Sequence, residues 1–272
     1  MSFSNQIIVS GGFDDIGSRD LRFLEEAAKL GELSVLLWPD EALQKLNGKA
    51  PKFTLAERLY FLNAVRCVSR VIEAGSSVKP AVLPNQLKAD IWADYGMTTN
   101  SAREQFCREQ NLLYRVFEAD ELKGFPEPAP LPPSSGKKKV VVTGSYDWFH
   151  SGHVRFFEEV SAYGNLYVVV GHDANIRLLK GEGHPLLPQD ERRYIVGSIR
   201  YVRQALISSG HGWLDADPEI QKLKPDIYAV NEDGDKSAKR EYCQKNGIEY
   251  LVLRRTPAPG LPSRSSTGLR GF

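Results

Sequence analysis

Residues 11–26 of this chain lie without gaps on residues 144–159, and from there to Gly48 and Gly181 roughly a third of the paired positions are identical. A match of that length constrains the architecture strongly, because each half must be able to adopt the fold of the other. With one extra residue in the second half, Glu57-Arg-Leu-Tyr60 meets Glu191-Arg-Arg-Tyr194, and Arg66 meets Arg200. Further on, Lys88-Ala-Asp-Ile-Trp92 meets Lys224-Pro-Asp-Ile-Tyr228, and Cys107 meets Cys243. The chain reads as a tandem duplication, with copies over residues 1–118 and 139–272. Between them, residues 119–138 hold Pro126, Pro128, Pro130, Pro132 and Pro133 followed by Ser134-Ser-Gly136, a composition suited to a linker.

Each copy opens with a short apolar run, residues 6–10 or 139–143, that reads as a buried strand ending in a glycine turn. Leu21, Leu24 and Ala28, and in the second copy Val154, Phe157 and Val160, recur at helical spacing behind it. Apolar runs follow at 33–37 and 166–170, then at 227–230 and 250–253. Strands alternating with helices predict the α/β class: two tandem doubly wound parallel sheets, each covered by helices on both faces. Such sheets place ligands at the carboxyl ends of their strands.

Composition narrows what those ligands are. Lys and Arg total 35 against 34 Asp and Glu, so a net charge of +1 offers no general attraction to nucleic acid or to an anionic membrane. Any phosphate must be held locally. Cys67, Cys107 and Cys243 are too scattered for a disulfide framework or a zinc site, and the matching Cys107 and Cys243 read as packing residues. With a polar start at residues 1–6 and no membrane-length apolar run, the expectation is a cytoplasmic protein without membrane insertion.

The sharpest motif is His150-Ser-Gly-His153, at the turn between the first strand and first helix of the second copy. Two imidazoles three residues apart at a helix start share a face, beside backbone N–H groups that favour an anion. Together they form a candidate phosphate site. Gly144 and Ser145 end the strand before it. His172 follows the second strand, His184 and His211 read as surface residues, and the acidic run at 231–235 reads as a loop near the acceptor pocket because it lacks calcium-loop spacing.

The run Tyr146-Asp-Trp-Phe-His-Ser-Gly-His153 closely resembles the motif of the cytidylyltransferase family, within the HxGH nucleotidyltransferases and their Rossmann-like domains. The resemblance covers the second copy from end to end. Lys180 stands where the family has a lysine beyond the second strand, and Glu191-Arg192 with Arg200 resemble its basic stretch. Trp213 and Asp233 have counterparts as well. Arg264-Ser265-Ser266-Thr267 looks like the closing Ser/Thr motif, with Arg255 and Arg264 alternative matches for its arginine.

What the resemblance implies is transfer of CMP from CTP to a phosphorylated small molecule, an alcohol phosphate or sugar phosphate, with release of pyrophosphate. An adenylyltransferase using ATP is the alternative, and a non-catalytic nucleotide-binding or assembly protein the alternative of another class. His150 and His153 would donate to the α-phosphate, Lys180 would bridge donor and acceptor, and Arg192 and Arg200 would hold the triphosphate or acceptor phosphate. Gly144, Ser145, Tyr146, Asp147, Phe149, Gly152, Asp233 and the 264–267 stretch would line the nucleotide, and Trp213 the acceptor. Mg²⁺ would accompany the triphosphate, with Asp147 as its nearest carboxylate or else a turn-capping residue.

The first copy has Gly17 and Asp20 at the positions of His150 and His153. An aspartate there repels phosphate. The first copy is therefore expected to be catalytically dead, keeping Arg58 and Arg66 either as surface ion-pair partners or for an interface or an anion. The two copies are expected to pack as an intramolecular pseudo-dimer, with a homo-oligomer as a further possibility.

Overall fold

The computed structural model describes residues 5–75, 79–84, 87–96, 100–127 and 136–269, in two units, Met1–Gly124 and Phe125–Phe272. The first unit runs β1 (Gln6–Gly11), α1 (Ser18–Ala28), β2 (Glu32–Leu37), α2 (Asp40–Asn47), α3 (Leu55–Ala64), β3 (Arg70–Glu73), β4 (Ile91–Tyr95), α4 (Ser101–Glu109) and β5 (Leu113–Phe117). The second runs β6 (Lys139–Gly144), α5 (Ser151–Ser161), β7 (Asn165–Val170), α6 (Asp173–Lys180), α7 (Gln189–Gly197), β8 (Val202–Ile207), α8 (Asp217–Leu223), β9 (Ile227–Asn231), α9 (Ser237–Lys245), β10 (Glu249–Leu253) and α10 (Ser266–Leu269).

Each unit is built on a five-stranded parallel sheet, in the orders β3-β2-β1-β4-β5 and β8-β7-β6-β9-β10. Strand for strand the two orders are the same. Registers agree too: Gln6 faces Glu32 and Gly11 faces Leu37, as Lys139 faces Asn165 and Gly144 faces Val170. The central strands are apolar on both faces, with Val140, Val141 and Val142 wholly buried, because helices cover the sheet on each side. In each unit the chain leaves the central strand in one direction and later crosses back to its other side, which opens a crevice at the strands' carboxyl ends.

One glycine position shows how closely the units correspond. A Cβ on Gly31 would fall 2.1 Å from the Asn5 carbonyl oxygen, and one on Gly164 2.2 Å from that of Lys138. No side chain fits at either place, so the turn from first helix to second strand demands glycine in both.

The third strand of each sheet, β3 and β8, was not legible as an apolar run. Both are edge strands, and Arg70 and Glu73 in one, Arg203 and Gln204 in the other, interrupt the hydrophobic pattern. Part of the residue 119–138 stretch is held by the units themselves. Arg22 donates to the Glu121 carbonyl, while Arg193 donates to Phe125 O at 3.0 Å and pairs with Glu127 at 3.1 Å. Residues 128–135 of that stretch lie outside the described residues. Among the described residues, no helix is long and apolar enough to cross a membrane.

Candidate active site

The crevice of the second unit is a cavity of about 530 Å³. Its walls come from the end of β6 (Thr143, Gly144), the turn behind it (Ser145, Tyr146), α5 (Gly152, His153), α6 (Asn175, Lys180), the end of β9 and α9.

Local chain geometry sets the two imidazoles. Tyr146 takes a positive φ of 49°, which folds its ring back so closely that a Cβ on Gly144 would lie 2.9 Å from it. Behind this turn His150 caps α5: its Nδ1 accepts from Gly152 N at 3.1 Å, and His153 Nδ1 accepts from His150 N at 3.3 Å. Because backbone N–H groups occupy both Nδ1 atoms, each neutral ring carries its proton on Nε2. The rings stand 4.1 Å apart between centroids, and both line the cavity. Phe149 stacks on His153 at 5.3 Å and Tyr146 meets it edge-on at 5.4 Å, fixing its plane. Burial, with His150, Arg255 and Lys180 nearby, holds the His153 imidazole well below its ordinary value of 6.5. It is neutral at pH 7, and the pair presents two Nε2–H donors in the cavity shared with Lys180, whose Nζ donates to Ser145 Oγ at 2.8 Å.

Several expected site residues have other tasks. Arg192 is wholly buried and does not line the cavity: Nε donates to Leu187 O at 2.9 Å, Nη1 to Ser145 O at 2.6 Å and Gly171 O at 2.8 Å, and Nη2 pairs with Asp173 at 2.6 Å. It clamps the loop after β6 to the end of β7 and the start of α6. Asp147, 3% exposed, accepts from Leu186 N at 2.6 Å and Leu187 N at 3.2 Å and meets the His184 ring at 3.3 Å. A carboxylate so occupied is a loop brace, not a metal ligand, and His184 is its partner instead of a free surface residue. Arg200 is exposed and Trp213 is 54% exposed, and neither lines the cavity. Phe149 does not line the cavity; it stacks on His153 and packs against Tyr146 and Phe157. Ser265 Oγ accepts from Gly268 N within its own segment, while Ser266 Oγ donates to Trp148 O in the loop before α5. The Thr267 side chain lies outside the described residues. Of the two alternative arginines, Arg255 lines the cavity, paired with Asp233 and donating to the Arg264 carbonyl at 3.0 Å. Among the described residues no group of three His, Cys, Asp or Glu is set to hold a metal.

Asn175, Asp215, Lys239 and Arg255 complete the walls, and the sequence did not single out the first three. Asn175 is spent on structure, exchanging hydrogen bonds with Gly212 through both its amide atoms. His172 caps α6 and reaches Gly210 O at 2.8 Å.

In the first unit the matching space is filled. Arg58 repeats the hold of Arg192, donating to Phe53 O, Gly12 O and Trp38 O and pairing with Asp40, and it too is buried. Asp14 repeats that of Asp147, accepting from Lys52 N and Phe53 N. But Trp38 stands at the position of Gly171, 7% exposed and packed in one cluster with Leu43, Leu83 and Trp92. Leu43 and Arg103 match the cavity residues Ile176 and Lys239, and the Arg103 guanidinium lies 5.8 Å from the Trp38 ring centroid. An indole occupies the hollow. Asp20 caps α1 by accepting from Gly17 N at 2.9 Å and accepts from Tyr95 OH at 2.7 Å.

A parallel α/β unit whose crevice is lined by a pair of Nε2–H imidazoles, a lysine and an arginine is suited to a phosphorylated ligand. Comparison with known proteins identifies the family. A model of cytidylyltransferase-like proteins matches residues 141–267. A FAD synthase of Ferroglobus placidus is 37% identical over 120 residues, 43% of this chain and 75% of that one. A FAD synthase of Pyrococcus horikoshii is 38% identical over 126 residues, 44% of this chain and 82% of that one. The bifunctional protein HldE of Campylobacter concisus is 32% identical over 165 residues, 58% of this chain and 34% of that one. The chain belongs to the cytidylyltransferase-like family of nucleotidyltransferases.

Proposed function

We propose that the second unit transfers a nucleoside monophosphate from a nucleoside triphosphate to a phosphorylated small molecule. The observation that carries this reading is the pair of rings 4.1 Å apart, each with Nε2 as its protonated nitrogen, on the wall of a cavity shared with Lys180 and Arg255. An oxygen of the acceptor phosphate attacks the α-phosphorus, a new P–O bond forms, and the bond from that phosphorus to the α–β bridging oxygen breaks to release pyrophosphate. The acceptor oxygen is already anionic at neutral pH, so the protein needs no nucleophile of its own. Its work is placement and charge neutralisation. His150 and His153 donate to the α-phosphate oxygens, whose charge grows in the transition state. Lys180 sits where donor and acceptor phosphates meet, and Arg255 takes the role expected of Arg192 on the triphosphate tail. Mg²⁺ enters as the triphosphate's own counter-ion; Asp147, the carboxylate expected beside it, is committed to the 186–187 backbone.

For the donor base there are two readings. The motif resemblance favours CTP, and the relatives named FAD synthase favour ATP, since FAD contains an AMP moiety. The test is pyrophosphate release by the full-length protein with CTP and with ATP, against FMN, sugar phosphates, glycerol phosphate, ethanolamine phosphate and choline phosphate. His150→Ala and His153→Ala are expected to cut turnover by about 10²- to 10³-fold while triphosphate affinity persists. Equal loss of affinity and turnover would favour a nucleotide sensor. The common strand order and the repeated Arg58 and Asp14 frames support descent of both units from one duplicated domain, of which the first, filled by Trp38, no longer turns over substrate.

A further inference from the structure

The cavity that holds the imidazole pair also holds a cation the reaction above does not use. Lys239, on α9, points its ammonium across the Tyr228 ring at 5.8 Å from the centroid and makes one long hydrogen bond, to Gly234 O at 3.3 Å. It has no ion pair among the described residues. Burial lowers its pKa, only partly countered by Asp235 and Asp215. The contrast with the first unit is instructive. Arg103, at the matching position, is satisfied by Asp94 at 2.6 Å, the Pro80 carbonyl at 2.9 Å and two indoles. There the hollow is filled and the cation is consumed by the protein; in the second unit the hollow is open and ammonium donors remain.

Asp215 lines the same cavity. One carboxylate oxygen accepts from Ser208 Oγ at 2.6 Å, and the other takes no hydrogen bond among the described residues. A half-buried ammonium and a carboxylate, each with capacity left over, suit a group that accepts from one and donates to the other. A hydroxyl does both at once. A quaternary ammonium gives Lys239 nothing to bond and Asp215 no proton; a primary ammonium could donate to Asp215 but leaves Lys239 without an acceptor and meets its repulsion; an alkyl chain satisfies neither.

We infer that Lys239 and Asp215 form a recognition point for hydroxyl groups at the end of the acceptor remote from its phosphate, so that the acceptor is a polyhydroxylated phosphate. This rests on the acceptor-phosphate reading above and narrows it, setting aside choline and ethanolamine phosphates. The hydroxyls belong either to an open polyol chain or to a sugar ring.

Two matched pairs of probes test it by calorimetry on the full-length protein: ribitol 5-phosphate against pentyl phosphate, and glucose 1-phosphate against cyclohexyl phosphate. The first pair shares phosphate and a five-carbon chain, the second phosphate and a six-membered ring, and the chief difference within each is the hydroxyls. The wild-type protein is expected to bind the hydroxylated member of one pair at least tenfold tighter. Preference in the first pair assigns a chain, and in the second a ring. Lys239→Met, of similar length, removes the preference while thermal unfolding stays as in the wild type; Asp215→Asn weakens it. No preference in either pair, no binding by any probe, or a preference that survives both substitutions overturns the inference. The two readings fail separately. Hydroxyl-dependent binding without pyrophosphate release from any donor would sink the transfer reading alone. Turnover that ignores acceptor hydroxyls would sink only the recognition point.

Discussion

Arg192 was expected at the phosphates and is found in the framework, and the difference is measurable. Replacing it by Met keeps most of the stem's volume but removes every donor. Three carbonyls, of Ser145, Gly171 and Leu187, lose their partner, and Asp173, about a third exposed, turns to water. Each buried carbonyl left unsatisfied costs about 1–3 kcal/mol, and relief from burying the guanidinium offsets part of this. The net expectation is a loss of about 3–5 kcal/mol in the second unit. At about 2–4 °C per kcal/mol for a unit of this size, its unfolding midpoint falls by about 6–20 °C. Differential scanning calorimetry reads the change. Arg58→Met is expected to lower the transition of the first unit by a similar amount, because Arg58 makes the same four bonds there. Unchanged midpoints for Arg192→Met, with a raised KM for the triphosphate, would refute the reasoning and return Arg192 to the phosphates.

Two further outcomes follow from the site. The folded-state pKa of His153 lies below the ordinary 6.5, so its neutral ring stabilises the second unit fully above about pH 6.5, and that contribution is lost as the pH falls toward the folded value. Urea unfolding between about pH 5 and 8 should show this decline, and His153→Asn should flatten it. Gly171→Trp places in the second unit the residue that fills the first: triphosphate binding should disappear in calorimetry while unit 2 still unfolds cooperatively, and intact affinity would show that the cavity is not the nucleotide site.

The repeat made the α/β class legible, since periodic apolar runs and glycine turns recur in step, and the imidazole pair was legible because its spacing and its place after a strand are both local. What stayed hidden depends on partners distant in the chain. Arg192 and Asp147 carry residue types that suit phosphate or metal, yet most of their partners are backbone atoms 21–47 positions away, which no pattern of side chains displays. One signal was present: Arg58 and Asp14 recur in the half that has Gly17 and Asp20 at the histidine positions, as framework residues would. Lys239 was overlooked on a charged helix, although its match to Arg103 and its place four residues before the buried Cys243 put it on an inward face. Cys107 and Cys243 are each 1% exposed, with thiols pushed up to about 11 by burial, in keeping with packing.

Trp38 stands in the way of a phosphate site in the first unit. Writing histidines back at positions 17 and 20 would leave an indole where a substrate has to lie. Cutting the indole away would open a void beside Leu43 and Trp92, at a loss of about 3–5 kcal/mol before any chemistry returned. A phosphate site in the first unit therefore needs several edits made together, none of which opens one by itself.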